Sequence, residues 1–145
     1  MKKIGLASDH AGYALKEHVK EYLSAHHIEY IDYGTHSEAS CDYPDYGHAL
    51  GQAIANGDVA TGIAICGSGE GISMTLNKHQ HVRAALCWQT EIAHLARQHN
   101  DANVLVMPGR FLTLAEADAI MGEFLATPFE GGRHMRRIEK IPCQG

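Results

Sequence analysis

The sequence predicts an α/β fold, a five-stranded parallel sheet with helices on both faces. Three observations predict it. Short apolar runs bounded by turn residues alternate five times with stretches whose apolar residues recur at helical spacing. No internal repeat, linker or low-complexity tract breaks the alternation, and 145 residues suffice for one domain with a real core, spanning 1–145. Strand–helix–strand units of this kind pair their strands in parallel through right-handed crossovers, which leaves helices on each side of the sheet.

Lys2 to Ser8 reads as the first strand, with Asp9-His10-Ala-Gly as the turn after it. Leu15, Val19, Tyr22 and Leu23 then repeat at i, i+4, i+7 and i+8, the stripe of an amphipathic helix. Ile28 to Tyr33 is a second strand ended by Gly34, and Ser37 to Asp42 is a polar loop. Pro44 suits the first turn of the next helix, whose apolar face is Tyr46, Leu50, Ala53 and Ile54 and whose stop is Gly57. The third strand lies in Val59 to Cys66, and a helix from about Ile72 to Lys78 follows. Val82 to Leu86 is the fourth strand. Thr90 can cap a helix with Ile92, Leu95 and Ala96 facing inward, and His99 is next on that stripe. Asn103 to Met107 is the fifth strand. Thr113-Leu-Ala-Glu116 matches a capping box, opening a helix with Leu114, Ala117, Ile120, Met121 and Phe124 inward. Gly131-Gly132 opens a last short helix, broken by Pro142.

Ligands of such sheets bind beyond the carboxyl ends of the strands. The segments there are Ser8 to Gly12, Gly34 to Asp42, Cys66 to Gly71, Cys87 to Thr90 and Pro108 to Phe111. Composition narrows the ligand class. A formal charge of −5 argues against a generic nucleic-acid surface, although Arg133, Arg136 and Arg137 cluster near the C-terminus. The four cysteines are widely spaced, a poor disulfide framework and a poor zinc site. Only five apolar or small residues separate Lys2-Lys3 from Asp9, too few for a signal peptide. No run approaches the roughly 18 apolar residues of a membrane helix. The expectation is a cytoplasmic protein with reduced thiols and no membrane partner.

The richest stretch is Cys66-Gly-Ser-Gly-Glu-Gly71, with glycines at alternate positions 67, 69 and 71. Glycine lets backbone bend and approach a ligand closely. A helix starting just after it would aim free N–H groups at one point, suiting a phosphate or a developing oxyanion and favouring the thiolate of Cys66. The same residues also suit a plain strand-to-helix turn with a buried structural cysteine. The loop fits neither the dinucleotide fingerprint nor a P-loop, so classical NAD or ATP binding is not expected. Asp9 reads as a helix cap, which leaves His10 unexplained. His99 points to the core or a cleft, either as a last-turn histidine favoured by the helix dipole or as part of a polar run with Asn100 and Asp101. Arg133 and Arg137, four apart, form either a phosphate clamp or a solvated basic face, and Arg110 at the ligand edge is a third cation. No histidine pair at i, i+4 has a third ligand behind it, so no metal is expected. Cys41, Cys87 and Cys143 read as structural or incidental.

Five motifs then occur in order: Ser8-Asp9-His10-Ala-Gly, Asp42-Tyr43-Pro44, Cys66-Gly-Ser-Gly-Glu-Gly71, Arg97-Gln-His-Asn-Asp101 and Glu130-Gly-Gly-Arg-His134. From first strand to last helix the chain resembles the ribose-5-phosphate isomerase B family. The resemblance implies a Rossmann-like three-layer α/β/α fold, a homodimer or homotetramer, no metal or nucleotide cofactor, and a site built across a subunit interface. One family variant uses a cysteine before the glycines as base, another a glutamate near the loop's end. With Cys66 present and Ile72 at the alternative position, this chain resembles the cysteine type, and Glu70 is not assigned the base's role.

The implied reaction interconverts ribose 5-phosphate and ribulose 5-phosphate through an enediolate. His99 would assist ring opening with Asp9, and Cys66 as thiolate would take the C2 proton. Ser68 would shuttle a proton between O1 and O2. Backbone groups of Gly67, Ser68, Gly69, Glu70 and Gly71, with Asn100, would hold the oxyanion, and His10, Arg110, Arg133, His134 and Arg137 the phosphate. The nearest rival is the same chemistry on allose 6-phosphate or another hexose 6-phosphate. A non-catalytic sugar-phosphate-binding module would have no need of Cys66, Ser68 and His99 together. A thiol redox protein would need Cys41 or Cys87 to approach Cys66 in space.

Overall fold

The computed structural model describes residues 3–143. Lys2, expected to open the first strand, lies outside them. The elements are β1 (Ile4–Ser8), α1 (Tyr13–Ala25), β2 (Tyr30–Asp32), α2 (Tyr43–Ala55), β3 (Thr61–Cys66), α3 (Glu70–Leu76), β4 (Ala84–Leu86), α4 (Thr90–Gln98), β5 (Val104–Pro108), α5 (Leu114–Ala126) and α6 (Arg133–Glu139). The strands form one five-stranded sheet in the order β2-β1-β3-β5-β4, and every pairing is parallel.

Strand side chains alternate between the two faces, and each face has its own core. Ile63 and Ile65 of β3 and Leu105 and Met107 of β5 pack with Leu15, Val19 and Leu23 of α1, Ala93 and Ala96 of α4, and Ile120 and Phe124 of α5. Ala64 and Cys66, with Val104 and Val106, pack instead with Leu50 and Ile54 of α2 and Ile72 and Leu76 of α3. The alternation sends the Cys66 side chain to the α2–α3 face.

Several local expectations are met. Gly57 ends α2 with φ +79°, a left-handed conformation. Thr113 and Glu116 form the expected reciprocal capping box. Others need correction. The helix after the glycine loop begins at Glu70 rather than Ile72, so Glu70 and Gly71 belong to its first turn. Gln89, not Thr90, occupies the N-cap of α4. That helix buries Ala93 and Ala96, leaving Leu95 exposed, because two small alanines let it lie closer to its neighbours than a leucine face would. His99, one step further along the expected stripe, is therefore the half-exposed C-cap residue and not a core group. Leu114, in the first turn of α5, is likewise exposed.

The one large surprise is Lys16, a charged residue in the apolar stripe of α1 and fully buried. Its Nζ donates to Asp32 Oδ1 at 2.5 Å and to the Thr35 carbonyl at 2.6 Å. Lys20 Nζ lies 2.7 Å from the other Asp32 oxygen, and the Gly34 N–H donates to Oδ1. Burial alone would raise the Asp32 pKa; the bonds from Lys16, Lys20 and Gly34 outweigh it and hold the carboxyl below the usual range. Asp32→Asn would strand a buried ammonium and should cost about 3 kcal/mol, lowering Tm on the order of 10 °C for a chain of this length. A carboxyl with a depressed folded pKa stabilises fully above its unfolded value near ~3.9 and loses that contribution as pH falls through the folded value. Thermal melts of the wild type should therefore weaken below about pH 4. Melts of Asp32→Asn should show less of that slope, and an unchanged Tm in this variant would contradict the pairing.

Candidate active site

Because β3 lies between β1 and β5 in parallel register, their carboxyl ends are adjacent. Ser8 pairs with Ile65, and Cys66 pairs with Pro108. The turns after these strands enclose a cavity of about 460 Å³, lined by Asp9, His10, Cys66, Gly67, Ser68, Gly71 and Arg110, with Tyr43 and Phe111 as aromatic walls. This brings together seven of the residues expected at a site. Cys66 is buried as the last residue of β3. The Gly109 N–H donates to its carbonyl at 2.9 Å, and the Arg110 N–H to the Gly67 carbonyl at 3.0 Å. The Arg110 guanidinium lies over Gly67, where an added Cβ would come within 3.2 Å of Cζ. An added Cβ at Gly71 would strike the Tyr43 ring, and one at Gly69, φ +78°, would strike Leu86. These glycines are what allow side chains to close over the loop.

Asp9 is buried and accepts the Gly12 N–H at 3.0 Å, which closes the turn before α1; the N-cap of that helix is Gly12 and not Asp9, and Asp9 lines the cavity as well. Ser68 Oγ accepts the Glu70 N–H at 3.2 Å. The Glu70 side chain is exposed and lines two neighbouring depressions rather than this cavity. Of Glu70, only the backbone remains near the expected role.

His10 is explained by a residue read as incidental. The Cys41 N–H donates to His10 Nδ1 at 3.2 Å, and the Cys41 sulfur is 3.9 Å away. The loop carrying Cys41 is itself pinned beside β1, where Thr35 N–H donates to the Ser8 carbonyl and Ser8 N–H to the Gly34 carbonyl, both at 2.8 Å. All four cysteines are free. Burial pushes the Cys87 thiol up to about 12, which removes it as a nucleophile.

The remaining expected residues form a second group. Since α4 precedes β5, His99 at its end lies by the amino edge of the sheet. The five residues of β5 span about 17 Å, so Cys66 and His99 of one chain stand at opposite edges. His99 stacks on His134 with ring centroids 4.3 Å apart and planes at 14°. Glu130 Oε2 lies 3.6 Å from His99 Nε2 and 3.7 Å from His134 Nε2. Burial lowers the His134 pKa, and His99, Arg133 and Arg137 lower it further while Glu130 opposes them. Arg133 and Arg137 are exposed on α6, and Asn100 is exposed beside His99. Asp101, φ +45°, closes the turn; Arg97 Nη1 donates to its Oδ1 at 2.7 Å and Arg83 Nε to its carbonyl at 2.9 Å. Helical spacing alone did not reveal the grouping of His99, Glu130 and His134, because the first caps the end of α4, the second lies in the loop between α5 and α6, and the third is in α6. One ligand atom from each of the three lies within 4.8 Å of the other two, a proximity that the sequence spacing did not show.

Sequence reasoning missed Tyr43, Phe111 and Cys41. Tyr43 stands inside a quoted motif, and Phe111 follows a strand end as an exposed aromatic. No sequence signal marks the backbone amide of Cys41.

A parallel α/β sheet carrying a thiol, a carboxylate and a cation around one cavity at its carboxyl edge is suited to acid–base chemistry on a small anionic molecule. A family model described as Ribose/Galactose Isomerase matches residues 4–141. Ribose-5-phosphate isomerase B of Escherichia coli is 43% identical over 141 residues, covering 97% of this chain and 95% of the relative. The crystal structure of a Thermotoga maritima ribose 5-phosphate isomerase has 50% identity and a TM-score of 0.95, covering 97% of each chain. That of Mycoplasma genitalium ribose-5-phosphate isomerase B with bound ribulose-5-phosphate has 43% identity and a TM-score of 0.90, covering 96% and 93%. The chain belongs to the ribose/galactose isomerase family, within its ribose-5-phosphate isomerase B group.

The Cys41 contact fixes a protonation detail. An Nδ1 that accepts a backbone N–H cannot carry a proton, so neutral His10 should be the Nε2–H tautomer, with that donor free for the cavity. Nitrogen-15 NMR of the imidazole at alkaline pH should show Nε2 protonated; an Nδ1–H tautomer would contradict the geometry.

Proposed function

We propose that this chain is an aldose–ketose isomerase interconverting ribose 5-phosphate and ribulose 5-phosphate, its residues 1–145 acting as one sugar-phosphate isomerase domain in the cytoplasm. The observation that carries the reading is Cys66, placed at the end of β3 in a cavity shared with Asp9, His10, Ser68 and Arg110. The relative holding ribulose-5-phosphate supports the choice of substrate. Among the described residues no helix is long and apolar enough to cross a membrane.

The reaction needs the furanose ring opened, a proton removed from C2 and one returned to C1. His99 moves a proton from the anomeric hydroxyl and to the ring oxygen, with Asp9 assisting. Cys66 as thiolate takes the C2 proton, and the electron pair left behind becomes the enediolate. Proton transfer between O1 and O2 passes through Ser68, and the Cys66 thiol returns a proton to C1. General base catalysis of this kind contributes on the order of 10²–10⁴-fold. Backbone N–H groups of Gly67, Ser68, Gly69 and Gly71, with Asn100, hold the enediolate oxygens while the Glu70 N–H is taken by Ser68 Oγ, each well-aimed donor being worth about 3–4 kcal/mol. His10, Arg110, Arg133, His134 and Arg137 grip the phosphate and so fix the reacting carbons.

This division of labour needs two copies of the chain, since the groups named lie at opposite edges of one sheet. A homodimer or homotetramer in which His99, Asn100, Arg133, His134 and Arg137 of one copy face Cys66 of another supplies a complete site. The test is turnover of ribose 5-phosphate and allose 6-phosphate side by side, with two variants. Wild type should prefer ribose 5-phosphate, and Cys66→Ala and His99→Ala should each be inactive. Refolded together they should regain roughly a quarter of wild-type activity, because random pairing makes half the dimers mixed, each with one intact site. No ribose 5-phosphate turnover by wild type would refute the function; no recovery in the mixture would refute the shared site.

A further inference from the structure

We propose that His99, Glu130 and His134 form a binding site for a divalent transition-metal ion such as Zn²⁺, whose occupancy takes the His99 imidazole out of use. One ligand atom from each of these side chains lies within 4.8 Å of the other two. The separations of Glu130 Oε2 from the two Nε2 atoms, 3.6 and 3.7 Å, are too long for hydrogen bonds. They are close to the edge of a tetrahedron around an ion with ligand bonds of about 2.0–2.1 Å, which is roughly 3.4 Å. Those two separations need shrink by only a few tenths of an ångström, while the His99 and His134 nitrogens, within 4.8 Å of each other, must be drawn together.

An independent observation points the same way. His134 is 6% exposed, and its Nε2 is buried with no hydrogen-bond partner. Buried polar atoms are almost always paired, so a buried Nε2 without a partner, 3.7 Å from the Glu130 carboxylate, marks a place for a ligand. The stacked rings run nearly parallel, and both Nε2 atoms lie near the same Glu130 oxygen. His99 must tilt to make them converge. Its side chain is 38% exposed at a helix end, and that of Glu130 53% exposed, so both can move while His134 stays fixed.

Two imidazoles and one carboxylate, with the outer side open to water, select borderline ions over hard ones: Cu²⁺ and Zn²⁺ above Co²⁺, with Mg²⁺ excluded. The exposed guanidinium groups of Arg133 and Arg137 oppose a cation and keep the affinity in the micromolar range. The ion has no part in the proposed reaction. It competes with it, because a metal-bound His99 Nε2 can neither give nor take a proton and a metal-bound His134 Nε2 is withdrawn from the phosphate.

The binding claim stands on geometry alone, whereas the inhibition rests on the isomerase reading, and the experiment separates them. Co²⁺ is titrated into the chain while its visible d–d absorption is followed, and Zn²⁺ is then used to displace it. One Co²⁺ per chain should bind, the signal should vanish with Zn²⁺, and affinity should fall at least tenfold in Glu130→Gln and in His134→Gln. Glu130 is half exposed, so its variant tests the site even if the buried substitution fails to fold. No saturable Co²⁺ signal, or an affinity unchanged in Glu130→Gln, would overturn the proposal. In parallel, Zn²⁺ should reversibly inhibit ribose 5-phosphate turnover. Binding without inhibition would leave the site standing but overturn its effect on catalysis, and with it the roles given to His99 and His134 in the reaction.

Discussion

The arrangement depends on one constraint, the parallel pairing of β3 between β1 and β5. Parallel strands end at the same edge, so the turns after β1, β3 and β5 are forced side by side, and with them Asp9, Cys66 and Arg110. The pleat then decides direction. Ile63 and Ile65 commit one side of β3 to the α1–α4–α5 core, so Cys66 must face α2 and α3. It meets the start of α3 and the Tyr43 ring at the start of α2 there, and a cavity results instead of a filled core. A shift of one residue in register would bury Ile65 in its place and turn the thiol to the other layer.

The parts legible from sequence were those decided locally. The capping box at Thr113, the proline at the start of α2, the glycine stop at residue 57 and the edge at which ligands bind follow from neighbours within a few positions. What stayed hidden was decided by partners distant in the chain. Lys16 looks like a surface residue until Asp32 and the Thr35 carbonyl reach it across the sheet. The amide that sets His10 belongs to a residue 31 positions away. The stripe of α4 was misjudged because residue size, not hydrophobicity, decides which face approaches the sheet, and Ala93 and Ala96 outrank Leu95.

His99 shows the same limit on a larger scale. Its motif is legible, yet its position at the amino edge of the sheet separates it from the thiol with which it is proposed to work. The turn that carries it is firmly built: Arg97 joins the Asp101 carboxylate to the Ala102 and Thr127 carbonyls, and the Glu130 N–H bonds to the Gln98 carbonyl at 2.9 Å. The chain thus carries its two groups of candidate site residues at opposite edges of one sheet. This separation is what the proposal of a site shared between two copies rests on. It also explains why the trio around His134 is open enough to be proposed as a trap for a metal ion.

The central claim is that the Cys66 sulfur removes the C2 proton. Incubating Cys66→Ala with ribose 5-phosphate in deuterated water, and following deuterium at C2 by proton NMR, tests it directly. Loss of general base catalysis should slow exchange by on the order of 10²–10⁴-fold, while phosphorus NMR still reports binding of the sugar phosphate. Exchange at the wild-type rate in that variant would contradict the account, because another group would then be the base.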